Sequence, residues 1–376
     1  MEKPSITTAC YENTIPSFVA GKLEQLYGSM YASFAHFDSY GGLSQASTYV
    51  AASVEGVQDI LLYRKEKHAI QVINEQVRLD DKAIARFSRT MFERYGDVDA
   101  VSFHAIDTDR HTLPYPSQRF NCTNDISMPL PATVEDYYGS LGKSTRKTLN
   151  QNGNRLQRRH ASFRFQVLEA QDLRDAQLTD IIALNHARMA GKSRVSAIDE
   201  TEAAHIIAFA KRCGLVGLVS IEGKICAGAI CYRIGSHYHL RVIGHDPQYN
   251  TYGLGMWCCY RTICECITRG GTDFHFMWGH EEYKYRLLGV QRELAHIVLY
   301  RSRLRMLVRA DSAIRTTFTG CKTELHLWML ERLRHKDHWV IRGAHQGIAW
   351  LRSGRRLFAS MGTARKTEVL QLSQKE

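Results

Sequence analysis

The sequence predicts an α/β (α+β) fold, a mixed sheet flanked by helices and built in two halves. Three observations carry that expectation. A strand, helix, strand order precedes residue 110, an antiparallel three-strand meander follows Gly214, and a glycine turn leads from the meander's last strand into an apolar helix and a further strand.

Residues 1–30 carry weak signals, with Pro4 and Pro16 framing an irregular lead-in. Strand patterns run from Val50 to Val54, Asp59 to Arg64 and Ala69 to Val72. A helix is expected from Asp80 to Tyr95, because Ile84, Phe87, Met91 and Phe92 fall near one face and Gly96 ends it; Val98 to Ile106 reads as the next strand. Pro114, Pro116, Pro129 and Pro131 mark the loop 109–131 as the connection between halves. Thr133 with Asp136 offers a capped start to one long helix with a basic outer face, continued by Tyr137, Leu141, Thr145, Leu149 and Leu156. Further helices are expected over Asp175 to Met189 and Thr201 to Arg212, the second stopped by Gly214. The meander then reads Leu215 to Ile221, Ile225 to Ile234 and His237 to Gly244, joined by the tight turns Glu222-Gly223-Lys224 and Gly235-Ser236. After a loop, His245 to Tyr252, a helix runs from Met256 to Arg269, followed by strands at Asp273 to Met277 and Leu294 to Tyr300. The expected limits are an N-terminal α/β domain at 1–130, a second domain at 131–302 and a basic helical extension at 303–376.

Composition narrows the function classes. No apolar run approaches the roughly 20 residues needed to span a bilayer, and the first twenty residues lack the apolar core of a secretory signal, so a cytoplasmic protein is expected. The ten cysteines are diluted along the chain in apolar settings and show no zinc-finger spacing, so reduced, packed thiols and no metal are expected. The net charge of +11 points to an anionic partner. From Gly142 to His160 there are six Lys/Arg and no acid, and residues 301–357 hold thirteen Lys/Arg against four acids. No helix-turn-helix or zinc module accompanies that charge, and a nucleic-acid regulator is not the favoured reading.

A strand that passes through glycines into a helix offers unpaired N–H groups and a positive dipole end to an anion. Gly253, Leu254, Gly255 and Met256 meet that description as cofactor-binding residues. No Lys-Ser/Thr pair follows, so this is not a P-loop. The run His245-Asp246-Pro247 through Gly253-Leu254-Gly255, then Gly270-Gly271-Thr272-Asp273-Phe274, Gly279 and Tyr283-Lys284, resembles the acetyltransferase family associated with cellulose biosynthesis (CelD/BcsL type). That family belongs to the GNAT superfamily and is related to the FemAB-like aminoacyl transferases. The similarity covers residues 135–302 and includes the basic segment with Lys143, Arg146 and Lys147; Asn250-Thr251-Tyr252-Gly253-Leu254-Gly255 replaces the usual Arg/Gln-x-x-Gly-x-Gly/Ala signature.

The resemblance implies a GNAT fold, with the N-terminal half as a second, degenerate GNAT-like unit. It also implies acyl transfer from acetyl-CoA or another acyl-CoA to an amine or hydroxyl, on a sugar or an envelope or exopolysaccharide precursor. Such a transfer needs a base, an oxyanion donor and an acid for the leaving thiolate. Asp246, His245 and His239 stand at the end of the last meander strand as base candidates, with Asp246 first. Tyr283 is the acid that the resemblance suggests, with Tyr285 as its alternate. Lys284, Arg146, Lys147 and Glu281 are expected at the substrate, Glu281 and Glu282 being alternative bases. The C-terminal pattern around Leu325, Trp328 and Leu333 suits either an anionic membrane surface or a packed helical appendage. Two rivals remain: a FemAB-like transferase using aminoacyl-tRNA, and a non-catalytic GNAT-shaped scaffold in polysaccharide export.

Overall fold

The first half opens with the largely exposed strand β1 (Thr7–Tyr11), continues through β2 (Ser47–Ser53) and β3 (Gly56–Glu66), each with a continuous buried run, and reaches β4 (Ala69–Val72), which alternates. Helices α1 (Val19–Tyr27) and α2 (Phe34–Tyr40) precede β2, and α3 (Asp81–Arg94) joins β4 to β5 (Ala100–Ile106). The computed structural model describes residues 6–109, 112–192 and 195–335, with side chains as far as residue 329. Strand β6 (Ser117–Pro129) follows β5, and helices α4 (Val134–Ser140) and α5 (Lys143–Arg159) lead into the second half.

The second half repeats the first: β7 (Arg164–Glu169), α6 (Asp175–Ala190), α7 (Glu200–Cys213), β8 (Gly214–Ile221), β9 (Lys224–Ile234), β10 (His237–His245), α8 (Leu254–Thr268), β11 (Asp273–His275). A short helix α9 (Glu282–Arg286) and strand β12 (Val290–Tyr300) complete it. The first-half chain order β, α, α, β, β, β, α, β recurs here, with three antiparallel pairings and then one parallel pairing in each half.

All twelve strands join one sheet in the order β1-β2-β3-β4-β5-β12-β6-β11-β10-β9-β8-β7. The halves trade their last strands: β6 leaves the first half to pair with β11 of the second, while β12 returns to pair with β5 of the first, and the two lie antiparallel to each other. Helices α6 and α7 cover one face of the second half through Leu178, Ile181, Ile206 and Phe209. Helices α4, α5 and α8 cover the other through Tyr137, Leu149, Leu156 and Ile263. Helix α8 is enclosed by sheet and helices and is accordingly apolar on most sides, with Cys258, Cys259, Cys264 and Cys266 as small core residues.

The chain continues through α10 (Arg303–Val308) into α11 (Ala310–His335). Residues to Glu324 form one unit, and those from Leu325 a second, in which Leu325 and Trp328 are exposed. Most of the expected extension, 336–376, lies outside the described residues. No described helix is long and apolar enough to cross a membrane.

Three sequence expectations need correction. The connection 109–131 contains β6, a thirteen-residue strand in mid-sheet; its first residues alternate weakly, and Pro129 sits at its last position, where a missing N–H costs least. The long basic helix is two helices, because Leu141 turns inward in an extended conformation and Gly142 continues it before α5 begins. The lead-in holds β1 and α1, the latter pinned by Val19 and Leu23 at i, i+4 spacing.

Candidate active site

The parallel pair β10 and β11 is short. Register runs from His237 opposite Asp273 to His239 opposite His275, and there the strands part. The Phe276 N–H donates to the Ile126 carbonyl of β6 at 2.7 Å, while β10 runs on to His245 beside β9. A bulge at Leu240 to Val242 adds to the divergence. Among the described residues no strand pairs with the β10 edge from Leu240 to His245, so it borders a cleft.

In the first half the corresponding gap is closed. Beyond β4 the chain keeps to β5: Gln76 N–H to the Ala105 carbonyl at 2.7 Å, Asp107 N–H to Val77 at 2.9 Å, and Leu79 N–H to Asp107 at 3.0 Å. The helix that follows each gap differs in the same sense. Helix α3 starts with Asp80, whose Oδ1 accepts the Ala83 N–H at 2.7 Å, so a carboxylate of the chain itself occupies the anion position. Helix α8 starts with Gly253 in the left-handed region (φ +55°) and has no side-chain cap. Its first helical bond runs from the Trp257 N–H to the Gly253 carbonyl, so the amides of Leu254, Gly255 and Met256 have no acceptor among the described residues.

Space around these amides is tight and shaped. A Cβ on Gly253 would lie 3.1 Å from Asn152 Nδ2, and one on Gly255 would lie 2.7 Å from His245 Nδ1. Nearby, the Arg155 guanidinium stacks on Tyr252 at 4.9 Å. Asn152 and Arg155 thus border the start of α8, while Arg146 lies over Tyr138 at 5.8 Å and Lys147 is exposed. His245 bonds through Nε2 to Asn250 Oδ1 at 2.8 Å, and its Nδ1 is buried without a partner. Burial outweighs that hydrogen bond and lowers its pKa, giving a neutral ring beside the positive end of α8.

On the α6 side the cleft holds a cavity of about 120 Å³. Its walls come from β10 (Leu240, Arg241, Ile243), from the segment after β11 (Phe276, Met277, Trp278), from α6 (Asn185, Arg188, Met189) and from α9 with the residue that precedes it (Glu281, Tyr283, Lys284). Asn185 fixes α6 to the strand by donating to the Ile243 carbonyl at 2.8 Å. Arg241 is paired with Glu202 of α7 and stacks on Trp278 at 5.3 Å. Lys284 is buried, 3.2 Å from Glu281 Oε2, and donates to the Trp278 carbonyl at 2.5 Å. Burial pushes the Glu281 carboxyl up, but the charge and hydrogen bond of Lys284 outweigh it and hold the group below the usual carboxylate range. Burial pulls Lys284 down against the attraction of Glu281. The 3.2 Å contact is that of an ion pair. Burial raises the Tyr283 phenol well above its ordinary value, so it stays protonated.

The expected site residues therefore separate into groups. Tyr283, Lys284 and Glu281 meet at the cavity; Gly253, Leu254, Gly255, Met256 and His245 meet at the start of α8. Asp246 lies apart from the cavity-lining residues: its Oδ1 accepts the Gln248 N–H at 3.0 Å at the head of the 3₁₀ turn Pro247–Tyr252, and Oδ2 is 3.6 Å from Lys224. His239 is fully buried, bonded to the Gly28 carbonyl at 2.9 Å and stacked on His275 at 4.4 Å. Burial, then the charge of His275, lowers its pKa strongly. Arg188, Arg241, Trp278 and Asn152 are additions. Arg188 had a legible signal, lying seven residues after Ile181 on the core-facing stripe of α6.

In the second half the sheet parts beside one uncapped helix, between helices on both faces. Residues 143–285 match the family described as acetyltransferase (GNAT) domain. Among solved structures, FemX superposes with a TM-score of 0.55 at 9% identity, covering 80% of this chain and 99% of that one. A conserved protein of unknown function from Bacteroides thetaiotaomicron VPI-5482 superposes with a TM-score of 0.50 at 13% identity, covering 77% of this chain and 99% of the other. At these identities the likeness is one of fold. Comparison with curated proteins returns no match.

Proposed function

We propose that the second half is an acyl-CoA-dependent N- or O-acyltransferase, with acetyl-CoA as donor and a sugar or envelope precursor as acceptor, as in the cellulose-associated family it resembles. The observation that carries the reading is the set of unpartnered amides at Leu254, Gly255 and Met256, placed where the free edge of β10 ends. Those amides, with Asn152 and Arg155, suit a diphosphate. From His245 back to Leu240 the strand covers about 16 Å at about 3.3 Å per residue, so an extended arm starting at α8 reaches the cavity along an edge able to bond it.

The donor supplies an electrophilic thioester carbonyl; the new C–N or C–O bond forms as the C–S bond breaks, and the coenzyme leaves as its thiol. Glu281, ionised through Lys284, accepts the proton of the attacking amine or hydroxyl. Tyr283, held protonated by burial, donates a proton to the departing sulfur. A free N–H on the β10 edge is the oxyanion donor. Asp246 and His245 shape the turn between β10 and α8 in this scheme, and Arg146 and Lys147 on α5 add positive field near the donor.

The test is turnover with acetyl-CoA and an amino sugar. Glu281→Gln and Tyr283→Phe should each lower kcat by about a hundredfold or more while acetyl-CoA affinity changes less than about twofold. Unchanged turnover in both variants removes these assignments. Aminoacylation from aminoacyl-tRNA, without acetyl-CoA binding, would instead favour the FemAB-like donor.

A further inference from the structure

The cavity holds three cationic side chains, and two are committed. Arg241 is paired with Glu202, and Lys284 with Glu281 and the Trp278 carbonyl. Arg188 makes no ion pair among the described residues, and its Nε is buried with no hydrogen-bond partner. A guanidinium nitrogen withdrawn from water without an acceptor is costly, unless the occupant of the site supplies one. Glu281 feels the charge of Arg188 and is drawn down by it, yet lies beyond ion-pair distance. The cavity thus presents a free cation and, across it, a carboxylate.

Arg188 stands on α6, on the face of the sheet opposite α8. Its charge reaches His245 as well as Glu281, but it lines the cavity together with Glu281, and on that ground its anion is assigned to the acceptor rather than to the diphosphate. We propose that Arg188 recognises a carboxylate or phosphate on the acyl acceptor, so that the acceptor is an amine carrying an acid group, its anion at Arg188 and its amino group toward Glu281. This rests on the acyl-transfer reading and names the acceptor class for it. The cavity of about 120 Å³ admits only a small polar portion of such a molecule.

Calorimetric titration of the full chain in phosphate-free buffer tests this with three probes: glucosamine, glucosamine 6-phosphate and muramic acid, which carries a carboxylate. At least one anionic amino sugar should bind the wild type ten times or more tighter than glucosamine. That advantage should vanish in Arg188→Gln and partly return in Arg188→Lys. Whichever of the two acids binds tells phosphate from carboxylate. Equal affinity for all three, no detectable binding of either acid, or an advantage that persists in Arg188→Gln overturns the proposal. Acetyl-CoA, titrated separately, should bind wild type and Arg188→Gln alike; its failure to bind either would count against the acyl-transfer reading, while the preference for anionic sugars is still read without it.

Discussion

Glu281, at the head of α9, pairs with Lys284 one turn on, and their pairing fixes how the site should respond to pH. The Lys284 ammonium favours the charged carboxylate and outweighs burial, so the folded pKa of Glu281 lies below its ordinary value. Proton acceptance by Glu281 is then available at neutral pH and fails only as pH falls through that depressed value. Removing the ammonium takes away the two largest influences that oppose burial, leaving a backbone hydrogen bond and the charge of Arg188 against it, so the pKa rises. Lys284→Met should therefore move the acid limb of the kcat/KM profile to higher pH, and a limb that stays in place would show that Glu281 is not the titrating base. At this scale the sequence was only partly readable. Tyr283 and Lys284 were candidates because the motif names them, and Glu281 because it is an acid just before it; all three line the cavity. Asp246 stands in the same motif, but its carboxylate spends itself on the Gln248 amide and Lys224, and a linear pattern does not say which way a loop side chain turns. Arg188 carried no motif and was visible only as a charged residue on a buried stripe.

Two helices in equivalent positions begin differently, and that contrast organises the elements. Asp80 fills the anion position of α3 with its own carboxylate, whereas Gly253 leaves the first amides of α8 open. Gly255 is needed for space: a side chain there meets the His245 ring at 2.7 Å and must displace it or tilt the helix. Gly255→Val should weaken acetyl-CoA binding by about tenfold or more, since several charge-assisted bonds depend on the amide geometry. Asp80→Ala should cost about 1 kcal/mol of stability through loss of its cap and leave that binding unchanged. Equal effects of the two changes on acetyl-CoA affinity would contradict the contrast. The meander and α8 were legible because tight turns and a switch from strand to helix periodicity mark them. Strand β6 was not, because prolines at its borders imitate a linker and its pairing partners, β12 and β11, lie well over a hundred residues away in sequence.

Across the whole molecule the two halves share a chain order, exchange their final strands and differ at one gap. The exchange builds a continuous twelve-stranded sheet, and neither half has its full complement of strands from its own segment. A second GNAT-like unit was expected from resemblance, but the crossing of β6 and β12 was not, since it requires knowing which distant strands pair. The first-half gap is held shut by backbone bonds between residues 76–79 and 105–107, while the second opens after His239 and His275. Under the proposed function this contrast predicts one donor site per chain. Isothermal calorimetry of acetyl-CoA with the full chain tests this most directly. The account predicts saturation at one acetyl-CoA per chain, and either no binding or a second equivalent site per chain would contradict it.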